Sequence, residues 1–112
     1  MIFQSIKTHK LTINQLKQIF YLKDTNWHFG IKVQSNWFKK NIKKEDIHNI
    51  MIIKNSIVGY TLLAKRRIDF INKKKFSKKK YLLFATLILN KKFRNFYYAA
   101  KMMKFNIKII NK

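Results

Sequence analysis

Apolar and polar positions at the start of the chain predict a strand followed by a helix. Ile2 to Ile6 alternate loosely between apolar and polar residues, the pattern of a strand with one buried face. Thr12 to Gln15 matches a capping box, because the Thr hydroxyl can accept an early backbone N–H while the Gln side chain reaches back. Apolar residues at helical spacing follow, so we predict a helix from Ile13 to about Lys23.

A loop and a second, shorter helix are predicted next. The segment from Asp24 to Gly30 is polar and aromatic without periodicity, which is typical of a loop. Ser35 can cap a helix from Asn36 to Ile42, and Trp37 and Phe38 would then supply bulk to the core.

Two β-branched runs in the middle of the chain predict a hairpin. Ile47 to Ile53 forms the first run and Ile57 to Leu63 the second, with Lys54 to Ser56 as the polar break between them. The second strand has room to continue to Phe70. Gly59 inside it predicts a bulge or a close backbone contact.

The last third of the chain is predicted to contain a basic loop, a buried strand, a helix and a final strand. Asn72 to Lys80 carries six lysines that repel one another, which favours a loop. Tyr81 to Leu89 is apolar on both faces, as expected of a central strand. Phe93 to about Phe105 then predicts a helix, and Ile107 to Ile110 a last strand. The apolar face of that helix is predicted to consist of Phe96, Ala99, Ala100 and Met103.

These elements predict a fold of the α/β (α+β) class. Their order is β-α-α-β-β-β-α-β, and no Pro-, Gly- or Ser-rich linker divides the chain. We therefore expect one domain over residues 1–112, with a mixed, mostly antiparallel central sheet flanked by helices.

Composition argues against a disulfide framework and against a metal site. The chain has no cysteine, four acidic residues and three histidines that stand far apart. Lysines near the N-terminus argue against a secretory leader, and the longest apolar run is shorter than the roughly 20 residues that span a bilayer. We expect no metal, no membrane span and a cytoplasmic location.

The formal net charge of +22 has two interpretations. Such a field attracts polyanions, and the Lys-rich loop 73–80 would be the place where nucleic acid binds. Alternatively, the joint excess of Lys, Asn and Ile reflects the codon bias of an AT-rich genome. We favour codon bias, because the chain has only three arginines, the residue type on which direct base readout depends most.

Particular residues give the chain a resemblance to the GNAT superfamily of N-acetyltransferases. Asn55 to Leu63, containing Ile-Val-Gly-Tyr, is similar to that fold's second hairpin strand. Leu87 to Arg94 resembles its fourth strand with the polar exit turn. Arg94 to Ala99 resembles the signature (Arg/Gln)-x-x-Gly-x-(Gly/Ala), although Tyr97 stands at the first glycine position. Gln34 to Ile42 is similar to the family's short second helix.

The resemblance implies a GNAT-like acyl-CoA N-acyltransferase fold and acetyl-CoA as cosubstrate. In the family, the strand offers backbone groups to the pantetheine arm and the helix N-terminus holds the pyrophosphate. Lys91 and Lys92 could contact the phosphates directly and so offset the side chain of Tyr97. The residues implied to bind the cofactor are Leu87, Ile88, Leu89, Arg94, Asn95, Phe96, Tyr97, Tyr98 and Ala99.

The implied reaction transfers an acetyl group from acetyl-CoA to a small-molecule or protein amine. Such a transfer needs a deprotonated amine and a proton for the leaving thiolate. Glu45, Asp46, His48 and Tyr60 are the candidate catalytic residues near the acceptor groove, and each is also explained as an ordinary loop or core residue.

Two further hypotheses follow from the length and the charge. The chain corresponds to about the first two-thirds of a family domain, so we expect a C-terminally truncated fold that is either active or an inactive CoA-binding remnant. A homodimer would cover the sheet edge that truncation leaves open. The alternative function is a small basic nucleic-acid-binding or ribosome-associated protein.

Overall fold

The computed structural model describes the backbone of residues 1–72 and 75–111 and the side chains of residues 1–64 and 87–111. Single turns of 3-10 helix at Thr8–Lys10 and Lys91–Phe93 accompany the main elements. The strands and helices are β1 (Ile2–Lys7), α1 (Ile13–Trp27), α2 (Ile31–Asn41), β2 (Ile47–Ile53), β3 (Ser56–Asn72), β4 (Lys75–Leu89) and α3 (Phe96–Ile110).

The four strands form one antiparallel sheet in the order β1-β2-β3-β4. Because successive strand residues face opposite sides, Ile50 packs with α1 whereas its neighbour Met51 packs with α3. Helix α1 therefore lies on one face with Ile19 and Leu22, and α3 lies on the other with Met102. The predicted α/β class with an antiparallel central sheet between helices is confirmed.

Helix α1 begins as predicted but is longer. Thr12 and Gln15 form the capping box, with backbone-to-side-chain distances of 2.9 and 3.1 Å. The prediction of a loop over Asp24 to Gly30 is wrong for Asp24 to Trp27, which continue the helix with Thr25 and Asn26 bonded back to the Leu22 carbonyl, and holds only for residues 28–30. The turn into α2 is short, since the Gly30 N–H donates to Asp24 Oδ1 at 2.6 Å.

Helix α2 begins earlier than predicted. Gly30, at φ 90°, precedes its first residue, so Ser35 lies inside the helix and does not cap it. Phe38 is buried as expected, whereas Trp37 is 45% exposed and supplies less to the core than predicted.

The hairpin of β2 and β3 is confirmed. Lys54 and Asn55 both have positive φ, 49° and 65°, as a two-residue hairpin turn requires. The predicted tight contact at Gly59 is also observed, because a Cβ there would lie 3.0 Å from Leu89 Cδ2 and 3.1 Å from Met51 Cε. The register between β2 and β3 shifts beside it, which leaves Val58 without an opposite residue.

Strand β4 differs from its prediction in extent and position. The segment predicted as a basic loop is largely strand, because β4 begins at Lys75 and pairs with β3 as far as Asn72. Lys73 and Lys74 lie outside the described residues. β4 is also not central: among the described strands it lies at the edge of the sheet. Its register shifts at Ala85, a bulge of the kind often found beside active sites.

Helix α3 replaces the predicted final strand. It runs through Ile107 to Ile110, because no helix stop precedes them. Its buried face is displaced from the predicted one: Met102 and Asn106 are fully buried, whereas Phe96 is 88% exposed.

Candidate functional site

The turn that joins β4 to α3 is shaped by two asparagine side chains. Asn90 Oδ1 accepts the N–H of Lys92 at 3.0 Å, and the Asn90 N–H donates to the Val58 carbonyl at 2.8 Å. Asn95 Oδ1 accepts the N–H of Tyr98 at 3.2 Å and caps α3. The cap satisfies one early N–H of the helix, and those of Phe96 and Tyr97 remain available to an anion.

Arg94 connects this turn to the end of α1. Its Nε donates to the Leu89 carbonyl at 3.1 Å, and its Nη2 bonds to Asn26 Oδ1. A guanidinium carries five N–H donors, so further donors remain for an external acceptor. The side chain thus fixes the end of β4 and keeps a positive charge next to the start of α3.

The end of β4 offers its backbone at the sheet edge. Ile88 and Leu89 are buried on opposite faces, in the cores under α1 and α3, and Leu87 is half-buried. These side chains hold the strand in place. On the side away from β3, no described strand forms hydrogen bonds with the N–H and C=O groups of β4.

Two open hollows flank the same turn and share Asn90 and Ser56. One, of about 430 Å³, lies against α1. The other, of about 570 Å³, lies on the α3 side and includes Lys54 and Lys92. Sequence reasoning missed Asn90 and Lys54 as members of this region, and their only sequence signal was their position in polar turns.

Tyr97 occupies the position that the GNAT signature gives to its first glycine. Its ring is 56% exposed, packs edge-on against Tyr98 at 5.1 Å and lies 5.5 Å from Lys101 Nζ. Ala99, at the last position of the signature, packs partly buried against the core under α3. These contacts place the Tyr97 side chain along α3, next to the first free N–H groups.

Two of the candidate catalytic residues are acids with structural contacts. Glu45 is half-exposed and forms a salt bridge of 3.0 Å with Lys7. Asp46 is fully buried, and its Oδ2 accepts the N–H of Lys43 at 2.9 Å. Asp46 also accepts the backbone N–H of Thr8 through its carbonyl, at 3.0 Å. Asp46 therefore fixes the backbone immediately before β2 through these hydrogen bonds.

The other two candidates, His48 and Tyr60, form a buried hydrogen-bonded pair. His48 Nε2 lies 2.7 Å from Thr8 Oγ1 and His48 Nδ1 lies 2.7 Å from the Tyr60 hydroxyl, so both ring nitrogens are hydrogen-bonded. Desolvation, partly offset by Asp46 and reinforced by Lys23, lowers the pKa of His48 from 6.5 to about 4. Desolvation also raises the pKa of Tyr60, with a smaller contribution from Asp46.

The structure brings the predicted cofactor residues together but not the catalytic candidates with them. Tyr60 pairs with Ile88 of β4, yet its side chain is 1% exposed and that of His48 is 0% exposed. Neither can reach a substrate at the sheet edge without opening the core. No group of three or more His, Cys, Asp or Glu that could hold a metal occurs among the described residues. Within the same part of the chain, none of the helices has the length and apolar character needed to cross a bilayer.

Comparisons with known proteins give similarity in structure only. No family model matches the sequence, and no curated protein matches it. Among solved structures, ElaA of Escherichia coli is similar at a TM-score of 0.67 and 12% identity, covering 97% of this chain and 68% of that one.

Two further solved structures are acetyltransferases by name. A GNAT family acetyltransferase of Staphylococcus aureus is similar at a TM-score of 0.68 and 15% identity, over 99% of this chain and 79% of that one. The ribosomal-protein-alanine N-acetyltransferase of Brucella melitensis is similar at a TM-score of 0.56 and 10% identity, over 98% of this chain and 69% of that one. The chain therefore has the GNAT acetyltransferase fold, which the sequence resemblance predicted.

Proposed function

We propose that this chain binds acyl-CoA and transfers its acyl group, in the simplest case acetyl, to an amine. The observation that carries the proposal is that the open edge of β4 at Leu87 to Leu89 leads, through the turn at residues 90–95, into the capped N-terminus of α3. The pantetheine arm would bond to that edge, and the pyrophosphate would lie at the free N–H groups of Phe96 and Tyr97.

The charges around the turn fit a phosphate ligand. The N-terminal end of α3 carries the positive end of the helix dipole, and Arg94 and Lys92 add full positive charges beside it. The fit is limited by Tyr97, whose side chain stands where the signature has glycine. We infer that Tyr97 weakens the binding of the phosphates without blocking it, because its ring packs along α3 against Tyr98 and Lys101.

Acyl transfer would proceed without a general base from the candidate residues whose side chains the structure describes. The amine nitrogen attacks the thioester carbonyl, the C–S bond breaks, the nitrogen gives up one proton to water and the thiolate takes up one proton from water. His48 and Tyr60 are enclosed in the core, and Asp46 is engaged at the start of β2. The reaction would therefore use amine that has already lost its proton in solution, and its rate should rise with pH up to the pKa of that amine.

A titration of CoA and acetyl-CoA by calorimetry, with thermal denaturation as a second readout, tests the proposal. Arg94→Ala should weaken binding about tenfold, because a charge-assisted contact to phosphate is lost. Asn26→Ala is the matched control, since it removes the same bond between Arg94 and α1 but keeps the guanidinium. Equal losses in both variants would assign Arg94 a structural role only. Absence of binding at millimolar CoA would refute the proposal.

Tyr97→Gly sharpens the same titration. The substitution restores the glycine of the signature and should tighten CoA binding about threefold or more, while the helix is destabilised by about 1 kcal/mol. Tyr97→Ala, which shortens the side chain but keeps a Cβ, should give an intermediate affinity. An unchanged affinity in both variants would show that the phosphates do not approach this residue.

A second candidate function is nucleic-acid binding, favoured by the shape of the β3–β4 hairpin. Beyond the pair Ile47 and Leu63, β3 continues for nine residues paired with β4 alone, as a two-stranded ribbon. Its β4 side includes Lys75 and Lys78 to Lys80, and a two-stranded ribbon fits the major groove of DNA. Binding to a DNA duplex should then fall steeply with salt, and binding that is flat between low and moderate salt would exclude this function.

A further inference from the structure

A separate hollow lies between the end of α1 and the first two turns of α2. Its volume is about 200 Å³, and it shares no lining residue with the two hollows at the β4–α3 turn. The residues that line it are Lys23, Trp27, Phe29, Val33, Gln34 and Trp37.

The walls of this hollow are large apolar side chains that the fold leaves open to solvent. Trp27 and Trp37 are each 45% exposed, and Phe29 and Val33 are more exposed still. These are the only two tryptophans of the chain. Contiguous exposed aromatic surface lining a concavity is typical of a binding site, whereas single exposed apolar residues are ordinary.

Two buried polar side chains, Gln34 and Lys23, form the floor of the hollow. Gln34 is 5% exposed, and its Nε2 has no hydrogen-bond acceptor in the described part of the chain. Leaving a buried donor unpaired is costly, and such exceptions often mark a missing ligand.

Lys23 is the second of these groups. It is 6% exposed, its Nζ lies 4.4 Å from the centre of the Trp37 ring, and no described carboxylate forms a salt bridge with it. Burial lowers its pKa, and no partner charge compensates for that desolvation. An ammonium in this setting gains most from an anion that enters the hollow.

We propose that this hollow binds a small carboxylate with a flat apolar body, such as an aromatic acid. The carboxylate would accept hydrogen bonds from Lys23 Nζ and Gln34 Nε2, and the ring would pack against Trp27 and Trp37. Lys23 disfavours a cationic ligand, and the mostly apolar walls disfavour a multiply charged one such as a nucleotide. The proposal does not depend on CoA binding at the β4–α3 turn.

Quenching of intrinsic tryptophan fluorescence tests the proposal on the intact chain, because both tryptophans line the hollow. Phenylacetate is the probe, and it should quench saturably. Phenylacetamide has the same shape without charge and should bind about tenfold more weakly, and 2-phenylethylamine should not bind. Acetate at equal ionic strength controls for general attraction of anions by the net charge of +22 and should not quench.

Variants assign the effect to the two polar groups. Lys23→Met keeps the aliphatic stem but removes the charge, and Gln34→Glu places an anion against the carboxylate. Each should weaken phenylacetate binding at least about tenfold. Lys39→Met is the matched control, because Lys39 is an exposed lysine of α2 outside the hollow, and it should leave binding unchanged.

Two results would overturn the proposal, and the first of them needs no variant. The first is equal quenching of the unmodified chain by phenylacetate, phenylacetamide and acetate. The second is a Lys39→Met variant that loses as much affinity as Lys23→Met, with both variants showing a folded far-ultraviolet spectrum. Failure here with intact CoA binding would leave the acyltransferase proposal standing, so the two outcomes are distinguishable.

Discussion

The two faces of the sheet carry polar networks that lie back to back on the same strands. His48 and Tyr60 point towards α1 and α2, while their sequence neighbours Asn49 and Thr61 point towards α3. Asn106 of α3 completes the second network: its Oδ1 accepts from Asn49 at 2.8 Å and its Nδ2 donates to Thr61 at 3.0 Å. Both networks are fully buried.

The networks differ in chemistry and in how completely they are satisfied. On the α1 face, both ring nitrogens of His48 are bonded, and the ring also stacks on Phe38 at 5.5 Å. In the network on the α3 face, Asn49, Thr61 and Asn106 are uncharged amides and a hydroxyl, and Asn49 Oδ1 has no partner among the described residues. The buried polar side chains therefore link different elements: Asn106 joins α3 to β2 and β3, whereas His48 joins β2 to Thr8 and to Tyr60 of β3.

The largest effect is expected for Asn106→Ala on the α3 face. The substitution breaks two buried hydrogen bonds and leaves the side chain of Asn49 without any partner. We expect a loss of about 4 kcal/mol in the free energy of unfolding, measured by urea denaturation. Lys104→Ala, at an exposed position of the same helix, should cost less than about 0.5 kcal/mol. Similar losses in the two variants would mean that the network does not hold α3.

Local signals in the sequence predicted the start of α1 and the β2–β3 hairpin, because each depends on neighbouring residues alone. The capping box of Thr12 and Gln15 is complete within four residues, and Asn55 suits the positive φ of a tight turn. The GNAT resemblance added the significance of the turn before α3.

Tertiary contacts decided the elements that were predicted wrongly. Ile107 to Ile110 is β-branched and resembles a strand, but Asn106 anchors that part of the chain as helix on the sheet. The repulsion among the lysines from Lys75 onwards favoured a loop. Pairing with β3 nevertheless keeps these lysines in strand β4. The burial of His48 and Tyr60 likewise depends on contacts that are distant in the sequence, such as the stacking of Phe38 on His48.

The second expected effect is a dependence of the free energy of unfolding on pH, which arises from His48 in the network on the α1 face. A pKa of about 4 for His48, against 6.5 in the unfolded chain, means that the unfolded state binds more protons between these values. The contribution of neutral His48 to the free energy of unfolding is therefore fully present above pH 6.5. It decreases by about 3 kcal/mol as the pH falls to 4. Urea denaturation at a series of pH values measures this slope.

Variants of two histidines separate that slope from general acid effects. His48→Gln should flatten the profile between pH 6.5 and 4, because the buried titrating group is gone. His28→Asn is the control: it removes an exposed imidazole at the end of α1, where asparagine tolerates the φ of 44°. A slope that persists in His48→Gln, or that disappears in His28→Asn, would assign the pH dependence to another group.

The smallest effect is expected for Tyr60→Phe, which removes one hydroxyl from the α1 face. His48 Nδ1 then loses its hydrogen-bond partner in a fully buried site, so we expect a loss of about 2 kcal/mol in the free energy of unfolding. Tyr21→Phe is the matched control, because Tyr21 is 67% exposed and its change should cost less than about 0.5 kcal/mol. If Tyr60→Phe instead left stability intact but abolished acetyl transfer, Tyr60 would be reached by substrate and the two networks would not share a purely structural role.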